Sequence, residues 1–289
     1  MGSKLQKLYK SLYWVDECTN KLNASRTGLD AMRVKGVVFD LDGTLFVSSK
    51  PREGALEVVT GLRGAGLRLA FLTNNSTYSV RNLHRKLNSM GIRAAMDEIM
   101  TSSYVTARWL LERYGELGVF AVGEGGLVEE LVRAGHRVVG EEEAEAVVVG
   151  LDRELTYSKL MKACRAIWRG ALFIATNRDR YLPTEQGPVP GAGALVAAIE
   201  AVTGKSPTVI GKPETLMLER ALRRMGLEKE EVVVVGDNPE TDAEMALRAG
   251  VRCVLVWRAP DPRWEERGVR YSPDLREAMR LILEGDVDD

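Results

Sequence analysis

Asp40 and Asp42 stand two residues apart at the end of the apolar run Val37-Val38-Phe39, directly before Gly43-Thr44-Leu45. Side chains alternate along a strand, so the two carboxylates would start out on the same side of it. Like charges this close repel unless a cation or a proton is shared between them, which marks a site and not a core. A carboxylate at a strand end can attack phosphorus and divide one hard displacement into two, which makes Asp40 the candidate nucleophile. Asp42 is the candidate to protonate the departing oxygen and then to activate water.

Three further segments end in polar chemistry. Arg68-Leu69-Ala70-Phe71-Leu72 runs into Thr73, Asn74, Asn75 and Ser76; Thr208-Val209-Ile210 runs into Gly211-Lys212-Pro213; Val232 to Val235 runs into Gly236-Asp237-Asn238-Pro239-Glu240-Thr241-Asp242. Thr73 and Asn74 are candidate hydrogen-bond donors to a phosphate, while Asn75 and Ser76 have two readings, phosphate donors or loop caps. Lys212 offers a compact positive charge on a backbone restrained by its glycine and proline neighbours. Asp40, Asp237, Asp242 and a phosphate dianion together demand a cation, and hard oxygen donors with positions left for water suit Mg²⁺.

These residues need elements that deliver them to one place. Apolar runs alternate with helical spacing almost throughout, the pattern of an α/β protein whose parallel sheet is covered by helices on both faces. Helices are expected near 54–65, 78–90, 103–114, 214–225 and 239–249, the fourth bracketed by Pro213 and Gly226. Ligands of such sheets bind beyond the carboxyl ends of the strands, where Asp40, Thr73, Lys212 and Asp237 all stand. Between Gly115 and Ser206 a second alternating block follows, with strands near 119–122, 147–149 and 172–175 and helices near 127–134 and 157–168. Gly123-Glu124-Gly125-Gly126 lacks the spacing of a nucleotide loop and reads as a strand-to-helix turn. Met217, Met225 and Met245 read as core fillers, and His84 and His136 as structural or solvated.

The four segments, in this order, resemble the DxDGT, Thr/Ser, Lys and GDxxxxD motifs of the haloacid dehalogenase superfamily. The long stretch between the Thr73 and Lys212 motifs, with Val148-Val149-Gly150-Leu151-Asp152, Ala175-Thr176-Asn177-Arg178-Asp179 and Pro190-Gly191-Ala192-Gly193, is similar to the branch with a type-2 cap that holds 4-nitrophenylphosphatases, phosphoglycolate phosphatases and pyridoxal phosphate phosphatases. The resemblance runs from about Val34 to about Leu283. It implies a doubly wound, Rossmann-like core at 33–115 and 207–289, a smaller α/β cap at 116–206 and an extension at 1–32. It further implies Mg²⁺ held by Asp40, the backbone carbonyl of Asp42 and Asp237, with Asp242 and Asn238 behind them. Asp242 also has the plainer reading of a charge at a helix start. Relatives use the loop of Asn177 and Asp179, with Tyr181 to Pro183, to contact the leaving group. Leu182 stands where pyridoxal phosphate phosphatases carry a histidine, which speaks against that substrate.

Composition narrows the field. A net charge of -1 supplies no broad attraction to nucleic acid or to an anionic membrane, so an anion must be captured locally. No run of about 18 apolar residues spans a membrane. Cys18, Cys164 and Cys253 form no CxxC pair, and a reducing, cytoplasmic setting is expected. The expected activity is Mg²⁺-dependent hydrolysis of a small phosphorylated metabolite, with phosphotransfer through the same intermediate, or metabolite binding without turnover, as alternatives. Caps of this type often mediate dimers in relatives, so a homodimer is expected.

Overall fold

The computed structural model describes residues 34–184 and 186–287 of the chain. The segment 1–32 and Cys18 lie outside the described residues. In chain order the strands are β1 (Gly36–Asp40), β2 (Phe46–Val47), β3 (Lys50–Pro51), β4 (Arg68–Thr73), β5 (Ile99–Thr101), β6 (Gly118–Val122), β7 (Arg137–Val138), β8 (Ala146–Val149), β9 (Leu172–Ala175), β10 (Tyr181–Thr184), β11 (Gly187–Pro190), β12 (Thr208–Val209), β13 (Val232–Gly236), β14 (Arg252–Val256) and β15 (Val269–Ser272). The helices are α1 (Ala55–Gly64), α2 (Val80–Ser89), α3 (Ser102–Tyr114), α4 (Gly125–Arg133), α5 (Tyr157–Trp168), α6 (Ala192–Thr203), α7 (Leu216–Met225), α8 (Glu244–Ala249), α9 (Pro262–Glu265) and α10 (Leu275–Glu284).

The chain forms two compact units. The first takes the described residues up to Phe71, then 87–94 and those from Arg220 onward; the second takes 72–86 and 95–219. The second unit therefore contains the whole 116–206 segment and more besides.

In the first unit the strand order is β15-β14-β13-β1-β4. The pairings of β1 with β13, β13 with β14 and β14 with β15 are parallel. Val232 to Val235 are all buried, which is why β13 reads as an unbroken apolar run: it is covered on both faces. The register sets Phe39 opposite Val235, so the chain leaves β1 and β13 at neighbouring points, with Asp40 as the last residue of β1 and Asp237 the first after β13. Phe39 stacks on Phe71 with ring centroids 6.2 Å apart, closing the sheet face beneath that edge.

The second unit carries a five-stranded parallel sheet in the order β12-β9-β8-β6-β7 and an antiparallel hairpin, β10-β11. Val147, Val149 and Phe173 of this sheet pack with Ala163 and Ile167 of α5 and Val196 and Ile199 of α6 into one core. The expected helix 157–168 coincides with α5, and 127–134 is met by α4. Gly123 and Glu124 form the turn between β6 and α4, whose first two residues are Gly125 and Gly126. His136 is buried; its Nδ1 accepts the Leu117 N–H at 3.2 Å and its Nε2 lies 3.0 Å from the Ala107 carbonyl, so the proton sits on Nε2. Met217, Met225 and Met245 are buried, as are Cys164 and Cys253, whose thiols are unbridged.

Candidate active site

The first unit gathers carboxylates. Asp40, Asp237 and Asp242 each offer one oxygen, and the three oxygens lie within 4.8 Å of one another. Asp40 and Asp242 are buried, so their mutual repulsion is poorly screened by solvent. An all-oxygen donor set of this kind fits a hard divalent cation such as Mg²⁺.

Thr44 fixes the spacing of the cluster. Its buried hydroxyl lies 2.9 Å from Asp40 Oδ2 and 3.2 Å from Asp237 Oδ1, one hydrogen serving two acceptors. Gly43 makes the approach possible: its φ is 98°, and a Cβ there would come within 2.6 Å of Asp237 Oδ2. Asp242 Oδ2 accepts the backbone N–H groups of Asp237 at 3.2 Å and Asn238 at 3.1 Å, which curls the loop back over the cluster. The Asn238 side chain accepts the Glu240 N–H at 3.0 Å and so starts the helical turn Pro239–Ala243.

Asp42 lies outside this group of carboxylates. Strand β1 stops at Asp40, Leu41 turns inward, and Asp42 is exposed, so strand alternation does not carry through to it. The turn at Gly43 is the reason: the Gly43 N–H donates to the Phe46 carbonyl at 2.8 Å and folds the chain back.

Three residues that spacing did not single out brace these loops. The Trp257 indole N–H donates to the Thr44 carbonyl at 3.2 Å from a backbone with φ 64°, a strained conformation for a non-glycine residue. The Arg52 guanidinium lies 4.8 Å from the Trp257 ring centroid while its Nε–H donates to the Gly43 carbonyl at 3.1 Å. Arg258 donates from Nε to the Asp237 carbonyl at 2.7 Å. Thr44 lies inside a recognisable motif, but nothing local marks Arg52, Trp257 or Arg258.

The second unit holds amides and the lysine. Thr73 ends β4 buried, and its hydroxyl oxygen accepts the Asn75 N–H at 3.0 Å. Asn75 Oδ1 accepts from the N–H and hydroxyl of Thr77 at 2.9 and 2.8 Å, and Ser76 Oγ accepts the Leu151 N–H at 3.0 Å. Of the two readings of Asn75 and Ser76, these bonds are those of loop caps. The Asn74 side chain differs from the expectation that it donates to a phosphate. Its Nδ2 donates to the Lys212 carbonyl and to Asp179 Oδ1, both at 3.0 Å, and a primary amide has only those two hydrogens to give. Asn177 is committed too: Nδ2 donates to the Asn74 carbonyl at 2.7 Å and Oδ1 accepts the Asp179 N–H at 3.0 Å. Arg178 pairs with Glu200. Lys212 is itself buried.

The chain is similar to known hydrolases along most of its length. Residues 37–137 match the haloacid dehalogenase-like hydrolase family, and 209–278 match a second family described as HAD-hydrolase-like. The chain is 38% identical over 222 residues to the 5'-nucleotidase YutF of Bacillus subtilis (strain 168), covering 77% of this chain and 86% of that one. It is 36% identical, at the same coverage, to the acid sugar phosphatase of Staphylococcus aureus (strain USA300). Among solved structures, the p-nitrophenyl phosphatase from Archaeoglobus fulgidus superposes with a TM-score of 0.80 at 36% identity, over 86% of this chain and 98% of that one. With these identities spanning most of both chains, and with four polar strand ends in the family's order, the chain belongs to the haloacid dehalogenase superfamily of hydrolases, as a phosphoric monoester hydrolase.

Proposed function

We propose that the chain is a Mg²⁺-dependent phosphatase that hydrolyses small soluble phosphate monoesters through an aspartyl-phosphate on Asp40. The observation that carries this reading is the trio of carboxylate oxygens within 4.8 Å at the ends of two adjacent parallel strands. Phosphate monoesters are among the slowest of biological molecules to hydrolyse unaided, with enzymes supplying up to about 10²¹-fold, so nucleophile, proton carrier and fixed positive charge are all required.

In this reading Asp40, the Asp42 carbonyl and Asp237 hold Mg²⁺, with Asp242 and Asn238 fixing the loop behind them. When bound, the ion neutralises charge on the transferring phosphoryl group. An Asp40 carboxylate oxygen forms a bond to phosphorus as the ester P–O bond breaks, and Asp42 gives its proton to the departing oxygen. Asp42 then takes a proton from water as that water attacks the phosphorus of the aspartyl-phosphate, which frees inorganic phosphate and restores Asp40. Lys212 supplies the ammonium counter-charge, and Thr73 a hydroxyl for the phosphoryl oxygens.

We assign the cap to 116–206, with the stretch following Asn177 as its substrate-facing part. The names of the relatives cover nucleotide, sugar phosphate and 4-nitrophenyl phosphate hydrolysis, which supports a small ester and leaves the leaving group to that cap. Among the described residues no helix is long and apolar enough to cross a membrane.

The test is phosphate release from a panel of small monoesters. Turnover should require Mg²⁺, stop with EDTA, return with added Mg²⁺, and fall by about 10⁴-fold or more in Asp40→Asn. Full activity in Asp40→Asn, or turnover indifferent to EDTA, overturns the mechanism.

A further inference from the structure

Asn74 and Lys212 meet through both polar groups of one backbone residue. Asn74 Oδ1 accepts the Lys212 N–H at 2.8 Å, and Asn74 Nδ2 donates to the Lys212 carbonyl at 3.0 Å. The second Nδ2 hydrogen goes to Asp179 Oδ1 at 3.0 Å. Asn74 is held in turn from behind, because its own carbonyl accepts from Ser102 Oγ and from Asn177 Nδ2, each at 2.7 Å. Asn74, Asn177 and Lys212 are all buried, so a bond lost here is not readily replaced by water.

Chemistry restricts which side chain does this. Aspartate has no hydrogens for the Lys212 carbonyl or the Asp179 carboxylate, glutamine is one methylene too long, and serine has a single donor. Gly211 closes the arrangement: a Cβ at that position would lie 2.5 Å from Asn74 Oδ1 and 2.4 Å from the Thr176 carbonyl. The glycine before the lysine is therefore required by the asparagine that grips the lysine's backbone.

We propose that Asn74 is the positioning residue of Lys212: it sets where the lysine's ammonium is presented, couples that placement to the Asn177–Asp179 loop through Asp179, and leaves its side chain with no donor for a phosphate. This rests on the reading of Lys212 as the counter-charge to the phosphoryl group. Misplacing a charged group by a fraction of an ångström weakens what it contributes to the transition state more than what it contributes to ground-state binding.

The test is a double-mutant cycle on 4-nitrophenyl phosphate hydrolysis with Mg²⁺, using wild type, Asn74→Ala, Lys212→Ala and the pair. Asn74→Ala should lower kcat by about 10²-fold with little change in KM. In the Lys212→Ala background it should change kcat by no more than about twofold, because no ammonium remains to be misplaced. Asp179→Ala, which removes one of the three Asn74 side-chain bonds and spares the two to Lys212, should show a smaller loss that likewise vanishes in that background. It carries the test if Asn74→Ala melts below the assay temperature. Equal fold losses with and without the lysine amine overturn the inference, as does a raised KM with weakened inhibition by inorganic phosphate at unchanged kcat. An inactive wild type sinks the functional reading and this inference together, whereas an active wild type with independent effects sinks the inference alone.

Discussion

The Thr44 hydroxyl lies 3.2 Å from Asp237 Oδ1, although 193 residues separate the two in the chain. The same hydroxyl lies 2.9 Å from Asp40 Oδ2, so a single buried group sets the distance between the carboxylates proposed as nucleophile and metal ligand. Thr44→Val keeps the shape and removes the hydrogen. Groups that orient metal ligands are typically worth 10–100-fold, so we expect the Mg²⁺ concentration for half-maximal activity to rise by about that factor. A Mg²⁺ titration of phosphate release reads this directly, and an unchanged midpoint assigns Thr44 to packing alone.

Trp257 holds the same loop from the other side, and it does so at a strained φ of 64°. Trp257→Phe retains an aromatic face for Arg52 but loses the indole N–H bonded to the Thr44 carbonyl. A single neutral hydrogen bond is worth about 1 kcal/mol, so a loss of stability of that order is expected in urea unfolding. Activity should fall along with it, because the carbonyl it anchors belongs to the residue that bridges Asp40 and Asp237. Unaltered stability and turnover would remove Trp257 from the support of the site.

Glu130 provides a pH signature away from the chemistry. It is 4% exposed on α4, and its Oε1 accepts the Val80 N–H at 2.7 Å at the start of α2. Burial pushes its carboxyl above the ordinary 4.5, against the opposing pull of the Val80 hydrogen bond and the Arg133 charge. The native state then binds this proton more tightly than the unfolded chain does. Its contribution therefore falls as pH rises from about 4.5 through the native value, and is least favourable above it. Glu130→Gln keeps an acceptor for Val80 and removes the titration. Its melting temperature relative to wild type should climb from acid toward neutral pH and then level off; parallel curves across that range would contradict the assignment.

Much of this protein is written locally. Apolar runs covered on both faces declare parallel strands, and helical spacing with glycine stops declares helices, which is why 157–168 is met residue for residue and α7 ends at Met225 before Gly226. The polar residues that end those runs, Asp40, Thr73, Lys212 and Asp237, mark the proposed chemistry, because carboxylates and a lysine at strand ends have few other uses. What each side chain grips is another matter. Thr73 and Asn74 are neighbours with the same apparent promise as phosphate donors, yet the Asn74 carboxamide turns to a backbone 138 residues away. Asp242 joins the carboxylate cluster only because the loop after β13 curls back, and Arg52 and Trp257 meet only once their strands and loops are folded. Periodicity and spacing report a residue's own segment, whereas hydrogen-bond partners at such separations are set by strand register and by the few conformations a buried loop can hold with its polar groups satisfied. The sequence by itself thus determined the fold class and marked the groups proposed to react, and the tertiary structure decided how their segments are held.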